Sequence, residues 1–285
     1  METRTLEVPG ASIVYDVRGP LPAEEPPLLL VGQPMTADGF VTLAGHFSER
    51  TVVTYDPRGL GRSERHDGSV EHRPEQQAED LHALVAQIGG PVDVFASSGG
   101  AVSALALVAA HPQDVRTLVA HEPPLARLLP DAEAVARAWR IVVQTYAERG
   151  WGAGMAAFVA LTSWQGELTE DFGAELPEPQ AFGLPAEDDG SRDDPLLSGR
   201  STPVVEHVPD LEAITAAPTR VVVAAGVESR GLLTGRTAQA LADALGVPLT
   251  EFPSHHGGFL GDEFGQPGEP LAFASRLHEV LGGAG

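Results

Sequence analysis

The chain has no cysteine, and all 18 of its basic residues are arginine, set against 40 aspartates and glutamates. The first absence excludes disulfides and thiolate chemistry. The absence of lysine goes with 32 glycines, 24 prolines and abundant alanine, the mark of a GC-rich coding bias more than of a function. With basic residues this scarce the formal net charge is −22, which argues against nucleic acid and anionic membrane surfaces as partners. No apolar run approaches the ~20 residues of a membrane-spanning helix. Met1-Glu2-Thr3-Arg4 leads straight into strand-like sequence, so no secretory signal is visible and the cytoplasm is the expected compartment. A small-molecule substrate is the expected partner; the sequence leaves oligomeric state open, and a homodimer is compatible with it.

What is present is an alternation of short apolar runs and helical stretches. Thr5–Val8 and Ser12–Val17 flank Pro9-Gly10 as an antiparallel hairpin would. Pro27–Val31, Thr51–Tyr55, Val92–Ala96, Arg116–Ala120, Arg220–Ala224 and Leu249–Phe252 read as strands. Helical spacing runs from Glu75 to Ile88, with Leu81, Leu84, Val85 and Ile88 on one face, and helices are expected at Thr237–Leu245 and Pro270–Leu281. Strands alternating with helices predict an α/β fold, a mostly parallel eight-stranded sheet with helices on both faces. At 285 residues, one such domain with an insertion fits better than two domains. Residues 1–124 and 209–285 form the expected core. Residues 125–208 break the rhythm: helical from Ala132 to Arg149, holding Trp139, Trp151 and Trp164, then acidic and proline-rich from Glu167 to Asp194. They read as an inserted helical cap.

The segment Ala96-Ser97-Ser98-Gly99-Gly100 joins an apolar strand to the alanine-rich stretch 101–110. By itself it is as compatible with a plain Ser/Gly loop. Between a strand and a helix, small-x-Ser-x-small becomes a nucleophile elbow, whose tight turn needs small residues and lifts the serine hydroxyl clear of the backbone. Ser98 is then the candidate nucleophile, and the N–H of Gly99 stands at a helix N-terminus, where negative charge is favoured. A serine needs a base. His256, in Ser254-His255-His256-Gly257-Gly258-Phe259 after the last strand, is the better candidate, with His255 as its neighbour. The remaining eight histidines, His121 among them, read as structural.

These features resemble the α/β-hydrolases over nearly the whole chain outside the cap. Leu30-Val31-Gly32-Gln33-Pro34-Met35 stands where that family has its His-Gly-x-Pro turn, with Val31 in the histidine's place. Tyr55-Asp56-Pro57-Arg58-Gly59-Leu60-Gly61-Arg62-Ser63 matches the family's Asp-x-Arg-Gly-x-Gly-x-Ser segment. The resemblance implies a Ser-acid-His triad, with the backbone N–H groups of Gln33 and Gly99 as oxyanion hole. Two acids compete for the third place. Glu228 lies after the penultimate strand, the commoner family position. Glu122, in His121-Glu122-Pro123-Pro124, follows the strand after the elbow helix, and that segment is similar to the zearalenone lactone hydrolases. Glu122 is preferred. The Gln33 side chain either pins its loop or faces substrate, with loop-pinning favoured.

The expected activity is a serine hydrolase acting on a carboxylic ester or lactone of a hydrophobic small molecule through an acyl-enzyme on Ser98, with no cofactor and no metal. Met35, Trp139, Trp151 and Trp164 are expected to line the substrate pocket. A cofactor-free perhydrolase and a C–C hydrolase would keep the same triad, and a non-catalytic ligand-binding homologue is the alternative from a different class.

Overall fold

The computed structural model describes residues 1–265 and 267–283. The chain opens with the hairpin β1 (Glu2–Val8) and β2 (Ala11–Arg18), then β3 (Leu28–Val31), the short helix α1 (Val41–Gly45), β4 (Val52–Tyr55) and the two-residue β5 (Glu64–Arg65). Helix α2 (Pro74–Ile88), β6 (Val92–Ser97), α3 (Gly99–Ala110) and β7 (Val115–His121) follow. A long excursion contains α4 (Ala132–Thr162), α5 (Thr202–Val205) and α6 (Leu211–Ala216). The chain returns through β8 (Arg220–Gly226), α7 (Leu233–Leu245), β9 (Thr250–Phe252) and α8 (Pro270–Leu281).

The strands run β1-β2-β4-β3-β6-β7-β8-β9 across one sheet, with β5 paired off this path to β2. Pairs involving β1 and β2 are antiparallel, and from β4 to β9 every pair is parallel. The sheet therefore has nine strands where eight were expected. The ninth, Glu64–Arg65, is too short to carry a period in the sequence.

Alternation along the strands feeds two separate cores. Leu29 and Val31 of β3 join residues of α2, α3 and α7 on one face, while Leu28 and Leu30 join α1, α8 and Phe95 on the other. All four are completely buried, which is why β3 reads as a continuous apolar run instead of an alternating one. Two glycines let the elbow helix come close to the sheet. A Cβ on Gly100 would sit 2.5 Å from the carbonyl oxygen of Val31, and one on Gly99 would sit 2.8 Å from that of Gln33. Any side chain at either position would push α3 off the end of β3.

Between β7 and β8 a third apolar cluster forms around Trp139, Val142, Tyr146, Leu161 and Leu197. Its main element, α4, is two helices merged across Gly150, whose φ of 83° and ψ of −174° are non-helical. The helix expected to stop at Arg149 thus resumes and continues to Thr162. A glycine is required at this kink, because a Cβ would also meet Asp188 Oδ1 at 2.3 Å. Among the described residues no helix is long and apolar enough to cross a membrane.

Candidate active site

The parallel strands all end at one edge of the sheet, and the candidate residues leave the strands there. Ser98 occupies the turn between β6 and α3 with φ 57° and ψ −130°. Glu122 follows β7 with φ 48°, and Ser254, two residues before His256, has φ 67° after β9. These are the three non-glycine residues with positive φ among those described. L-residues enter this region at a cost of about 1–3 kcal/mol each, sustained only where the surrounding fold holds them. All three strained positions are at, or within two residues of, a candidate functional side chain.

His256 Nδ1 lies 2.7 Å from Glu122 Oε2. Glu122 is completely buried and also accepts from the backbone N–H of Gly226, at 2.8 Å on Oε1, and from the Thr234 hydroxyl, at 2.6 Å on Oε2. Burial alone would raise this carboxyl. The hydrogen bond and charge of His256 and the hydrogen bond of Ser229 outweigh it and hold the group well below the usual carboxylate range. Glu122 is therefore an anion at neutral pH, with its oxygens fixed from several sides. Glu228, the competing acid, sits exposed on the turn after β8, its backbone N–H bonded to the Ser254 carbonyl. The fold brings Glu122, and not Glu228, to His256.

Ser98, Gly99, Gln33, His255 and His256 line a common cavity of about 380 Å³. Its further wall is apolar, with Val135, Trp139, Phe158, Leu161, Val204 and Leu233. Of the four expected pocket residues Trp139 is there; Met35, Trp151 and Trp164 are not. Met35 packs against Gly39 and Phe40, on the α1 side of the sheet. Trp151 gives its indole N–H to Asp194, and Trp164 to the carbonyl of Glu167. Each indole is drawn outward by a partner within the excursion, a choice that composition does not reveal.

The turn bearing Gln33 is held from below. Asp56 Oδ1 accepts from the N–H of Ala37 at 2.9 Å, and Oδ2 from the N–H and guanidinium of Arg62 at 2.8 and 2.7 Å. Arg58, from the same segment, is buried against Asp80, with Nε 2.8 Å from Oδ2. The Gln33 side chain takes no part in this. Both its amide atoms are buried without a hydrogen-bond partner, so the expectation that it pins the loop is not met. Neither the Gln33 nor the Gly99 N–H donates to another described residue.

The comparisons with known proteins agree with this architecture. Residues 36–179 match the family model described as serine aminopeptidase, S33. An uncharacterized hydrolase, YraK, of Bacillus subtilis (strain 168) is 32% identical over 291 residues, covering 97% of this chain and 95% of that one. The chain belongs to the S33 family of α/β-hydrolases. Among solved structures, a thermophilic esterase from Thermogutta terrifontis superposes with a TM-score of 0.64 at 18% identity, covering 99% of this chain and 98% of that one. The enol-lactonase from Burkholderia xenovorans LB400 gives 0.62 at 18% identity, covering 98% and 100%. Likeness at that identity establishes the fold of this α/β-hydrolase and leaves its chemistry to the site.

One residue read as structural belongs to the site's surroundings. His121 is completely buried among Phe95, Phe252, Phe259 and Phe273. Its Nδ1 lies 3.2 Å from Ser97 Oγ, and its Nε2 has no hydrogen-bond partner, 3.8 Å from Glu122 Oε1. Burial pushes its pKa down to about 4, so the ring is neutral beside the Glu122 anion. Its place directly before Glu122 was the available signal.

A metal-like grouping also occurs away from the cavity, where His82, His111 and Asp114 gather their ligand atoms within 4.8 Å. The two rings lie stacked 3.8 Å apart and 8° from parallel, paired separately with Asp114 and Glu79. Parallel rings aim their lone pairs alongside one another instead of at one point, so the arrangement is that of two histidine–carboxylate pairs.

Proposed function

We propose that this α/β-hydrolase cleaves a carboxylic ester or lactone of a hydrophobic small molecule through an acyl-enzyme on Ser98. The observation that carries the reading is the 2.7 Å contact of His256 with the buried Glu122 anion, beside a cavity that Ser98 and His256 both line. His256 takes the Ser98 proton as the hydroxyl oxygen attacks the carbonyl carbon. Glu122 holds the ring in the tautomer with its proton on Nδ1 and stabilises the imidazolium. The tetrahedral oxyanion is received by the two free N–H groups of Gln33 and Gly99, each donor worth on the order of 3 kcal/mol in the barrier. His256 returns the proton to the leaving alcohol, and water activated by the same ring then releases the acid.

The cavity wall supports an uncharged, apolar substrate. It contains no carboxylate and no arginine, in a chain otherwise rich in acidic groups. An aminopeptidase would need an anion to hold the substrate's α-ammonium, so peptide ends are disfavoured despite the family's description. A lactone fits the same chemistry, the acyl-enzyme then retaining its own leaving alcohol. The excursion at 125–208 acts in this reading as the cap that shapes the apolar end. The test is hydrolysis of p-nitrophenyl esters of short and medium chain by wild type and Ser98→Ala. Turnover that disappears in Ser98→Ala is expected; undiminished turnover would overturn the proposal.

A further inference from the structure

We propose that the side-chain amide of Gln33 is a substrate-binding group that selects acyl chains carrying a hydroxyl one or two carbons from the scissile carbonyl. This rests on the reading of Ser98 as nucleophile. Gln33 is 2% exposed, lines the cavity beside Ser98, Gly99 and His256, and leaves both Nε2 and Oε1 without a partner. A buried amide left unpaired is a standing cost, and such groups are scarce in folded proteins unless something else uses them. The loop does not use it, since Asp56 already anchors that turn through Ala37.

Apart from Ser98, His256, Ser163 and the Nε2 of His255, the other polar groups of the wall are engaged, Ser229 with Glu122. Thr234 gives its hydroxyl to Glu122, Thr162 to Phe158 and Ser201 to the carbonyl of Pro195, while His255 Nδ1 accepts from Gly257. Ser163 is exposed. Gln33 therefore holds an unpaired donor and an unpaired acceptor, buried until its side chain turns to a substrate, against a neutral cavity whose wall is largely apolar. A single hydroxyl is both acceptor and donor, and so satisfies both atoms at once. Because the backbone of Gln33 abuts Gly99 beside the nucleophile, its side chain reaches the first carbons of the acyl group and not its far end.

The experiment compares kcat/KM for p-nitrophenyl butyrate with its 2-hydroxy and 3-hydroxy analogues, in wild type, Gln33→Met and Ser98→Ala. Wild type is expected to prefer at least one hydroxy ester by about tenfold or more, because a site built around a hydrogen bond penalises the analogue lacking it. In Gln33→Met, which keeps the backbone N–H and the volume, that ratio is expected to fall toward one. A wild-type ratio near one overturns the proposal without recourse to any variant, as does a ratio that survives in Gln33→Met. The thermal midpoint is a second readout: it should hold or rise in Gln33→Met, and a fall of several degrees would mean that the amide is bonded within the fold. Esterase activity persisting in Ser98→Ala would instead defeat the reading of the nucleophile and leave the Gln33 ratio to be judged separately.

Discussion

The carboxyl edge of the sheet and the excursion between β7 and β8 are built on opposite principles. At the edge, backbone strain is concentrated and the acid is held from several sides: Ser98, Glu122 and Ser254 all have positive φ, and Glu122 is gripped by His256, Gly226 and Thr234. The excursion carries no such strain outside its glycines, and its contacts are apolar packing around Trp139, Tyr146 and Leu197 with rim ion pairs such as Arg149–Glu178. Fixed geometry is what stabilising a developing charge requires, and apolar packing is what accommodating a substrate requires. The two regions should consequently fail in different ways when altered. Edge mutations should strike turnover, and excursion mutations should strike substrate affinity.

The largest effect is expected for Glu122→Gln. The amide keeps the shape but can present its N–H to His256, favouring the wrong tautomer, and it removes the anion that would stabilise the imidazolium in the proposed mechanism. Loss of about two to four orders of magnitude in kcat is expected, with KM little changed. Glu228→Gln, measured alongside, should be neutral because that side chain is exposed. Equal effects of the two substitutions would erase the distinction drawn between a held edge and a free surface.

Next comes Arg58→Ala. The guanidinium and Asp80 are each nearly inaccessible, and burial raises the Asp80 carboxyl in spite of the arginine beside it. Removing one partner leaves an uncompensated buried group, costing about 3–5 kcal/mol by denaturant unfolding. The removal also loosens the segment that positions Gln33, so kcat should fall with stability. This would show that the edge's rigidity extends down through Asp56 and Arg58.

Acid titration probes one buried ring at the edge and one against the excursion, each with a smaller effect. Burial lowers the pKa of His121, within the edge, and of His72, whose backbone N–H and ring join it to Arg200 and Ser201 of the excursion; both are held at about 4. The folded-state values lie below the unfolded value near 6.5, so the unfolded chain binds protons first. Stability is therefore full above about pH 6.5 and is lost as pH falls toward 4, on the order of 3 kcal/mol per ring. His121→Gln and His72→Gln should each flatten part of that slope in unfolding measured from pH 7 to 4. Equal slopes in wild type and both variants would contradict the assignment.

How legible each region was in the sequence follows the same division. Continuous apolar runs such as Leu28–Val31 mark strands buried on both faces, and the small residues around Ser98 mark a turn that sterics alone demand. Both signals are local, and both elements stand within a residue or so of where they were expected. The acid was legible only as a choice between Glu122 and Glu228, because which loop reaches His256 is decided by strand order. His121 was passed over although it directly precedes Glu122, because that adjacency does not say whether the imidazole is buried. In the excursion the pattern failed sooner. The positive φ at Gly150 hid the second half of α4, and the destinations of Trp151 and Trp164 depended on Asp194 and Glu167, 43 and 3 positions away.

The smallest expected effect is the one that most sharpens the contrast. Phe158 lines the cavity from α4 and meets Trp139 edge-on, with ring centroids 6.5 Å apart and planes at 77°. It touches none of the groups that would hold developing charge, so its contribution is to binding in the ground and transition states alike. Truncation in Phe158→Ala removes a half-buried ring from the substrate's surroundings, worth about 1 kcal/mol, or a roughly fivefold rise in KM for a medium-chain ester. The change should shrink for a two-carbon acyl group that does not extend to α4, while kcat stays near the wild-type value for both. Parallel loss of kcat across the two chain lengths would mean instead that α4 helps to hold the catalytic edge, and that the two regions are one mechanical unit.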